Sequence, residues 1–150
     1  MTAVRSTQDE LMRLVANLDD VRAGQKPATG EWSVRDLIRH GIDAEERVTH
    51  QIEFLLQGRE PKPYNTPPGV VMALEDNGEP FAEFVRRLGT ANAAFQRLLV
   101  EFDVDAGPSS MHDDLGRFTA GQWVAFEAWH DGDHLTHARE ILASTGDMHG

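Results

Sequence analysis

Three histidines near the C-terminus, His130, His134 and His137, occupy a helical stripe where aliphatic core residues belong. From Trp123 to Ile141 the inward positions at helical spacing read Trp123, Phe126, Glu127, His130, His134, His137 and Ile141. Imidazole rings thus replace hydrocarbon midway along one buried face. Burying polar rings without partners is costly, and a divalent cation is an efficient partner for neutral imidazole nitrogens. Spacing decides which rings can share one ion. His130 and His134 are separated by about 40° and about 6 Å of rise, so their side chains can converge. His130 and His137 lie about 10 Å apart along the axis, too far for both to sit roughly 2 Å from one zinc. His137 is therefore a neighbour of the ligands, a substrate contact or a competitor for the place of His130. A third ligand must come from another helix, and His40, at the edge of an earlier apolar stripe, is the best candidate by type and position. His50 lies about 15 Å further along that segment and toward its polar side, where a solvated surface residue is expected. His112 sits in a polar loop and His149 in the tail, neither with company.

Two other metal patterns compete. His130-Asp131-Gly132-Asp133-His134 is a near miss to the zincin helix, in which a glutamate beside the first histidine is the general base. Asp131 is one methylene short of that glutamate, and a glycine interrupts the motif. Glu127-x-x-His130 matches half of a di-iron bundle site, but Glu45 and Glu46 have no histidine three residues on to complete it. Glu127, one turn before His130, is placed to orient a ligand imidazole or accept a proton, with a rim carboxylate as the alternative. Asp131 and Asp133 flank the ligand pair and read as residues that solvate the helix. Trp129 faces away from the histidines, where core packing is the expectation and an interface the alternative.

The elements that must position these residues are helices. Thr7 with Glu10 forms a capping-box pattern before Leu11, Leu14, Val15, Leu18 and Val21, with Gly24 and Pro27 ending the run. Ser33 with Asp36 opens a second helix, with Trp32 and Leu37 as a hydrophobic staple. Its stripe runs through Ile38, Ala44, Val48, Ile52 and Leu55, and Gly58 and Pro61 close it. Pro80 fits the first turn of a third helix with Phe81, Phe84, Val85, Leu88, Phe95, Leu98, Leu99 and Phe102 on its core face. Thr119 with Gln122 caps the fourth, with Phe118 and Trp123 as staple and Gly146 as the stop. The connections 59–79 and 103–118 are long, of the kind that form lids, end caps or crossovers, and 70–74 can add a helical turn. No β-alternation, repeat or low-complexity segment is visible, so an all-α four-helix bundle in one domain, residues 1–150, is the expected architecture.

Composition narrows the chemistry. Fourteen basic against 25 acidic residues give a formal charge of -11, which repels phosphate backbones and anionic lipid, so neither nucleic acid nor membrane is expected as a partner. With no cysteine, a disulfide, a thiolate ligand and a cysteine nucleophile are all excluded. Any sulfur chemistry must use a substrate's thiol. The first residues lack an apolar signal core and no later run is long enough to span a bilayer, which gives a soluble, cytoplasmic expectation.

The segment Glu31-Trp32-Ser33-Val34-Arg35-Asp36-Leu37-Ile38-Arg39-His40, followed by Asp43 and Glu45, resembles the second-helix motif of the DinB-like superfamily. Trp129-His130-Asp131-Gly132-Asp133-His134-Leu135-Thr136-His137 resembles its last-helix motif, with Lys62-Pro63-Tyr64-Asn65 and the Pro80 helix in the expected order between them. The likeness is nearest to the YfiT-like branch and spans nearly the whole chain. It implies a four-helix bundle of up-down-down-up course, a homodimer, and a divalent metal, zinc or nickel, held by His40, His130 and His134. It further implies a transferase that uses a low-molecular-weight thiol, bacillithiol, mycothiol or glutathione, on a small electrophile. By their positions on the last helix, Glu127 and His137 are the catalytic candidates. Asp133 stands where the YfiT-like pattern often has another histidine. Three imidazoles leave open metal positions, as in a catalytic site. The alternatives are a hydrolase that activates water and a metal-stabilised binding or stress protein without turnover.

Overall fold

The computed structural model describes residues 2–61, 73–101, 109–112 and 116–146. The elements in order are α1 (Thr2–Val15), α2 (Asp20–Ala23), α3 (Val34–Leu56), α4 (Phe81–Glu101), β1 (Ser109–His112), β2 (Gly116–Thr119) and α5 (Ala120–Gly146). The four long helices build the bundle.

Two apolar layers fix its course. One layer joins Leu11 and Val15 of α1 to Leu37, Ile38 and Ile42 of α3, Phe81, Phe84 and Leu88 of α4, and Leu135, Ala138 and Ile141 of α5. The other joins Val4 to Val48, Ile52 and Leu55, to Phe95, Leu98 and Leu99, and to Ala120 and Trp123. The chain passes from the second layer to the first along α1, from the first to the second along both α3 and α4, and back along α5. That is the up-down-down-up course, with α3 and α4 parallel neighbours.

Local chemistry sets most helix ends. At Ser33 the capping box is complete: its hydroxyl accepts from the Asp36 amide at 3.1 Å, and Asp36 accepts from the Ser33 amide at 3.0 Å. Thr119 and Gln122 exchange the same pair of bonds at 2.9 and 3.2 Å. The Phe118 and Trp123 rings meet edge to face at 5.0 Å. Gly58, at φ 66°, takes the left-handed conformation that ends α3. The α4 N-terminus is capped from elsewhere, by Asp20 of α2, whose carboxylate accepts from the Phe81 amide at 2.5 Å.

The first segment departs from its sequence pattern. Thr7 is inside α1, because nothing between Thr2 and Thr7 breaks a helix and Val4 extends the apolar stripe. The helix also stops at Val15, well before Gly24, and Asp19 caps the separate α2 by accepting from the Arg22 amide at 2.7 Å. Val21, expected in the core, is 72% exposed. Arg22 instead reaches across to α5, donating to the Leu142 carbonyl at 2.7 Å and to the Thr145 hydroxyl. The second long connection holds an antiparallel hairpin, Ser109 opposite Thr119 and His112 opposite Gly116, where no strand was expected. Short strands of Ser, Gly and Arg carry too little apolar alternation to be seen in sequence. Residues 70–72 and Phe102 lie outside the described residues, and Ala73 and Leu74 are not helical.

The last residues of the first connection are tied to α3. Arg35 grips Asp76 through two bonds at 2.7 and 2.8 Å, which holds that carboxyl well below the usual range. The Leu74 amide donates to the Arg39 carbonyl at 3.2 Å, and Arg39 donates back to the Leu74 carbonyl. No helix among the described residues is long and apolar enough to cross a membrane.

Two substitutions calibrate this packing. Phe84→Ala opens a cavity in the first layer and costs about 3–5 kcal/mol, and Ser33→Ala removes a cap and costs about 1 kcal/mol. Denaturant unfolding should resolve both.

Candidate metal centre

The structure brings together the imidazoles of one residue on α3 and two on α5. His40, His130 and His134 each offer a ring nitrogen within 4.8 Å of the others. Ring centroids are 5.1 Å apart for His40 and His134, 5.7 Å for His40 and His130, and 4.7 Å for His130 and His134. The i, i+4 pair projects from one face of α5, and the packing of α3 against α5 supplies the third ring. Three imidazole nitrogens contributed by two helices are a donor set that could hold a divalent metal ion. Burial, and then the neighbouring His130, His40 and His137, push the His134 imidazolium down to about 3. At neutral pH that ring is uncharged, the state a ligand needs.

The three rings lie at the wall of an open pocket of about 590 Å³. His137 lines the same pocket, outside the histidine trio, stacked on Trp32 at 6.0 Å with 18° between the planes. Trp32 also packs 5.2 Å from His40. The sequence marked this tryptophan only as a staple, yet it forms a wall of the pocket. Its signal was available: an aromatic ring one residue before the Ser33 cap lies beside what α3 presents two turns later, here His40. The charged residues of the lining are Glu31, Asp133 and Glu140.

Glu127 is elsewhere. It is 0% exposed, absent from the pocket lining, and far from a rim position. It belongs to a layer of buried polar groups between the two apolar layers, contributed by all four long helices. Gln8 of α1 donates to Glu45 of α3 at 2.5 Å and to Asp131 of α5 at 3.0 Å. Gln96 of α4 donates to Gln8 at 2.7 Å, and the Asn92 amide, turned so that its nitrogen faces Glu45, donates at 2.5 and 3.2 Å. Asp131, expected to solvate the helix, is buried in this layer, whereas Asp133 is exposed at the pocket. The difference of two residues turns a side chain through more than half of the helix circumference.

Burial dominates the electrostatics of the layer. It pushes the Glu45 and Glu127 carboxyls well above their usual range, with the charge of Asp131 adding to the effect. Burial raises Asp131 to about 6, against the pull of the Gln8 bond and of Glu127, which is close enough to share a proton with it.

Other expectations resolve differently. Trp129 is 65% exposed, stacked on His130 at 5.7 Å and near Phe126, so it is not core. His50, expected in solvent, is half-buried against Phe54 with ring centroids 4.2 Å apart. His112 lies on β1, and His149 is outside the described residues.

A family model for the DinB superfamily matches residues 3–138, and the chain belongs to that superfamily. Two solved structures share the fold. TT2238, a four-helix bundle protein, superposes with a TM-score of 0.70 at 14% identity, over 93% of this chain and 94% of its own. YfiT from Bacillus subtilis, described as a probable metal-dependent hydrolase with an unusual four-helix bundle topology, gives 0.71 at 17% identity, over 98% and 84%. A search of curated proteins finds no match.

The pKa directions give a pH dependence for the metal-free protein. His134 is pushed down on folding, so its contribution is present above its unfolded value of 6.5 and is lost as pH falls toward about 3. The three carboxyls are pushed up, so theirs is present below their ordinary values and is lost as pH rises through the folded ones, about 6 for Asp131. Three carboxyls outweigh one imidazole. The metal-free protein should lose stability as pH rises from about 4 through about 6, the span set by Asp131, and Glu127→Gln should flatten that loss and raise Tm at the upper end. Thermal melts across this range, in chelator-treated buffer, check it.

Proposed function

We propose that the protein is a metal-dependent S-transferase acting on small molecules, with His40, His130 and His134 holding a divalent ion. The observation that carries this is the convergence of three imidazoles from α3 and α5 at the wall of a pocket large enough for a small substrate. When bound, the ion supplies a positive charge that favours the deprotonated form of an incoming thiol. The chain's own residues do the rest. Trp32 offers a flat apolar face on which a substrate can lie, and holds His137 against the pocket wall. His137, rather than Glu127, faces the pocket and is placed to accept the thiol proton. The sulfur then forms a bond to an electrophilic carbon, and the leaving group departs with its electron pair.

The pocket also discriminates among thiols. Glu31, Asp133 and Glu140 line it, and no arginine or lysine among the described lining residues offsets them. Glutathione and bacillithiol bring free carboxylates toward these acids, whereas mycothiol is an uncharged polyol. Like charges at a pocket mouth weaken binding and slow association, so mycothiol is the thiol that fits.

A second reading is hydrolysis, with water as the nucleophile. It draws on the description of the fold neighbour YfiT as a probable metal-dependent hydrolase. The same ligands and open positions would serve it.

Untagged protein loaded with zinc should conjugate mycothiol to alkyl halides or epoxides faster than it conjugates glutathione. His40→Ala, His130→Ala and His134→Ala should each lose the ion and the activity. His137→Ala should keep the ion and lower kcat by about 10²-fold with KM little changed. Ester or amide turnover without any thiol would select the second reading.

A further inference from the structure

Glu45, Glu127 and Asp131 meet inside the bundle, with one carboxylate oxygen of each within 4.8 Å of the others. Acidic residues in proximity are common, but these are all buried, and none forms an ion pair with a described base. The independent observation is Glu127. It has no exposed surface, and neither of its carboxylate oxygens has a hydrogen-bond donor. An acid proton shared with Asp131 would engage one of the two oxygens and leave the other bare, at the cost of an unsatisfied buried group. The other two carboxylates are steadied by amides: Gln8 donates to both, and Asn92 to Glu45. Their remaining lone pairs, and both oxygens of Glu127, are available to a cation.

We propose that Glu45, Glu127 and Asp131 form a second cation site, distinct in donor chemistry from the histidine trio. Three oxygen donors and no nitrogen select a hard divalent ion of the manganese or magnesium class. One such ion takes the cluster from three negative charges to one, and the Gln8 and Asn92 amides solvate the remainder. Asp131 and His134 border the same small cavity, so the two donor sets are neighbours separated by one turn of α5. The proposal stands whether the histidine centre transfers thiols or hydrolyses esters.

Because Glu127 is sealed from solvent, loading requires refolding. Protein refolded with Zn2+ and Mn2+ together and passed through gel filtration should carry two ions per chain, one of them Mn2+. The EPR spectrum of that Mn2+ should lack coupling to ligand nitrogen. Glu127→Gln, which keeps shape and removes the charge, should drop Mn2+ to background while zinc stays at one per chain. The variant lacking all three histidines should still take up one Mn2+. If Glu127→Gln fails to refold, Glu45→Gln serves the same purpose, and the wild-type stoichiometry decides on its own. One ion per chain in the wild type, or unchanged Mn2+ in a folded Glu127→Gln, overturns the proposal and leaves the cluster neutralised by protons.

Discussion

Buried polar groups must find partners or be neutralised, and this constraint organises the bundle from its middle outward. Gln8, Glu45, Asn92 and Asp131 come from four different helices and meet at one level, with aliphatic and aromatic layers above and below. A slip of any helix by one turn would carry its polar residue into hydrocarbon and an aliphatic residue into the polar level. The penalty is several kcal/mol for an orphaned group, comparable to the stability of a whole domain. Register is therefore set by polarity, and the apolar layers supply the driving force without having to supply all of the specificity.

The histidine centre inherits that register. His134 is one turn beyond Asp131 on α5, and His40 is five residues before Glu45 on α3. Once the Gln8 bridge fixes Glu45 against Asp131, the histidines on the same two helices are brought opposite each other. The pocket then needs only the chain entering α3, which contributes Trp32 and Glu31. TT2238 and YfiT share this fold at 14% and 17% identity, so the course of the chain is kept while most side chains differ.

Much of this was legible in the sequence, for identifiable reasons. Helices α3 and α4 carry long amphipathic stripes, and α3 and α5 have complete capping boxes, so those two starts were fixed by local chemistry. The three histidines were visible because imidazoles on a core stripe are conspicuous. Gln8, Glu45 and Asn92 carry the same signal less conspicuously, each as one polar residue on its helix stripe. Gln8 falls between Val4 and Leu11, Glu45 between Ile42 and Val48, and Asn92 between Leu88 and Phe95, each on the buried side of its helix. Imidazoles stand out by residue type, whereas the layer is legible only as polar residues of any type placed on apolar stripes. The break between α1 and α2 was hidden because Leu18 and Val21 continue the apolar spacing after the helix has ended. The hairpin was hidden because its pairing is between backbone groups, which leave little trace in side-chain pattern.

Parallel packing of α3 against α4 obliges the chain to travel back along the full length of the bundle between them. Joining ends over such a span costs little more entropy than a short turn, because the penalty grows only with the logarithm of length. What matters is where the returning strand is fastened. Leu74 exchanges bonds with Arg39, the residue immediately before His40, and the Asp76 carboxylate and the Glu79 carbonyl accept from Arg35 one turn earlier. The last described residues of the return path therefore share the turns of α3 that present His40, so a substitution that frees Arg39 or Arg35 also loosens the seat of that ring.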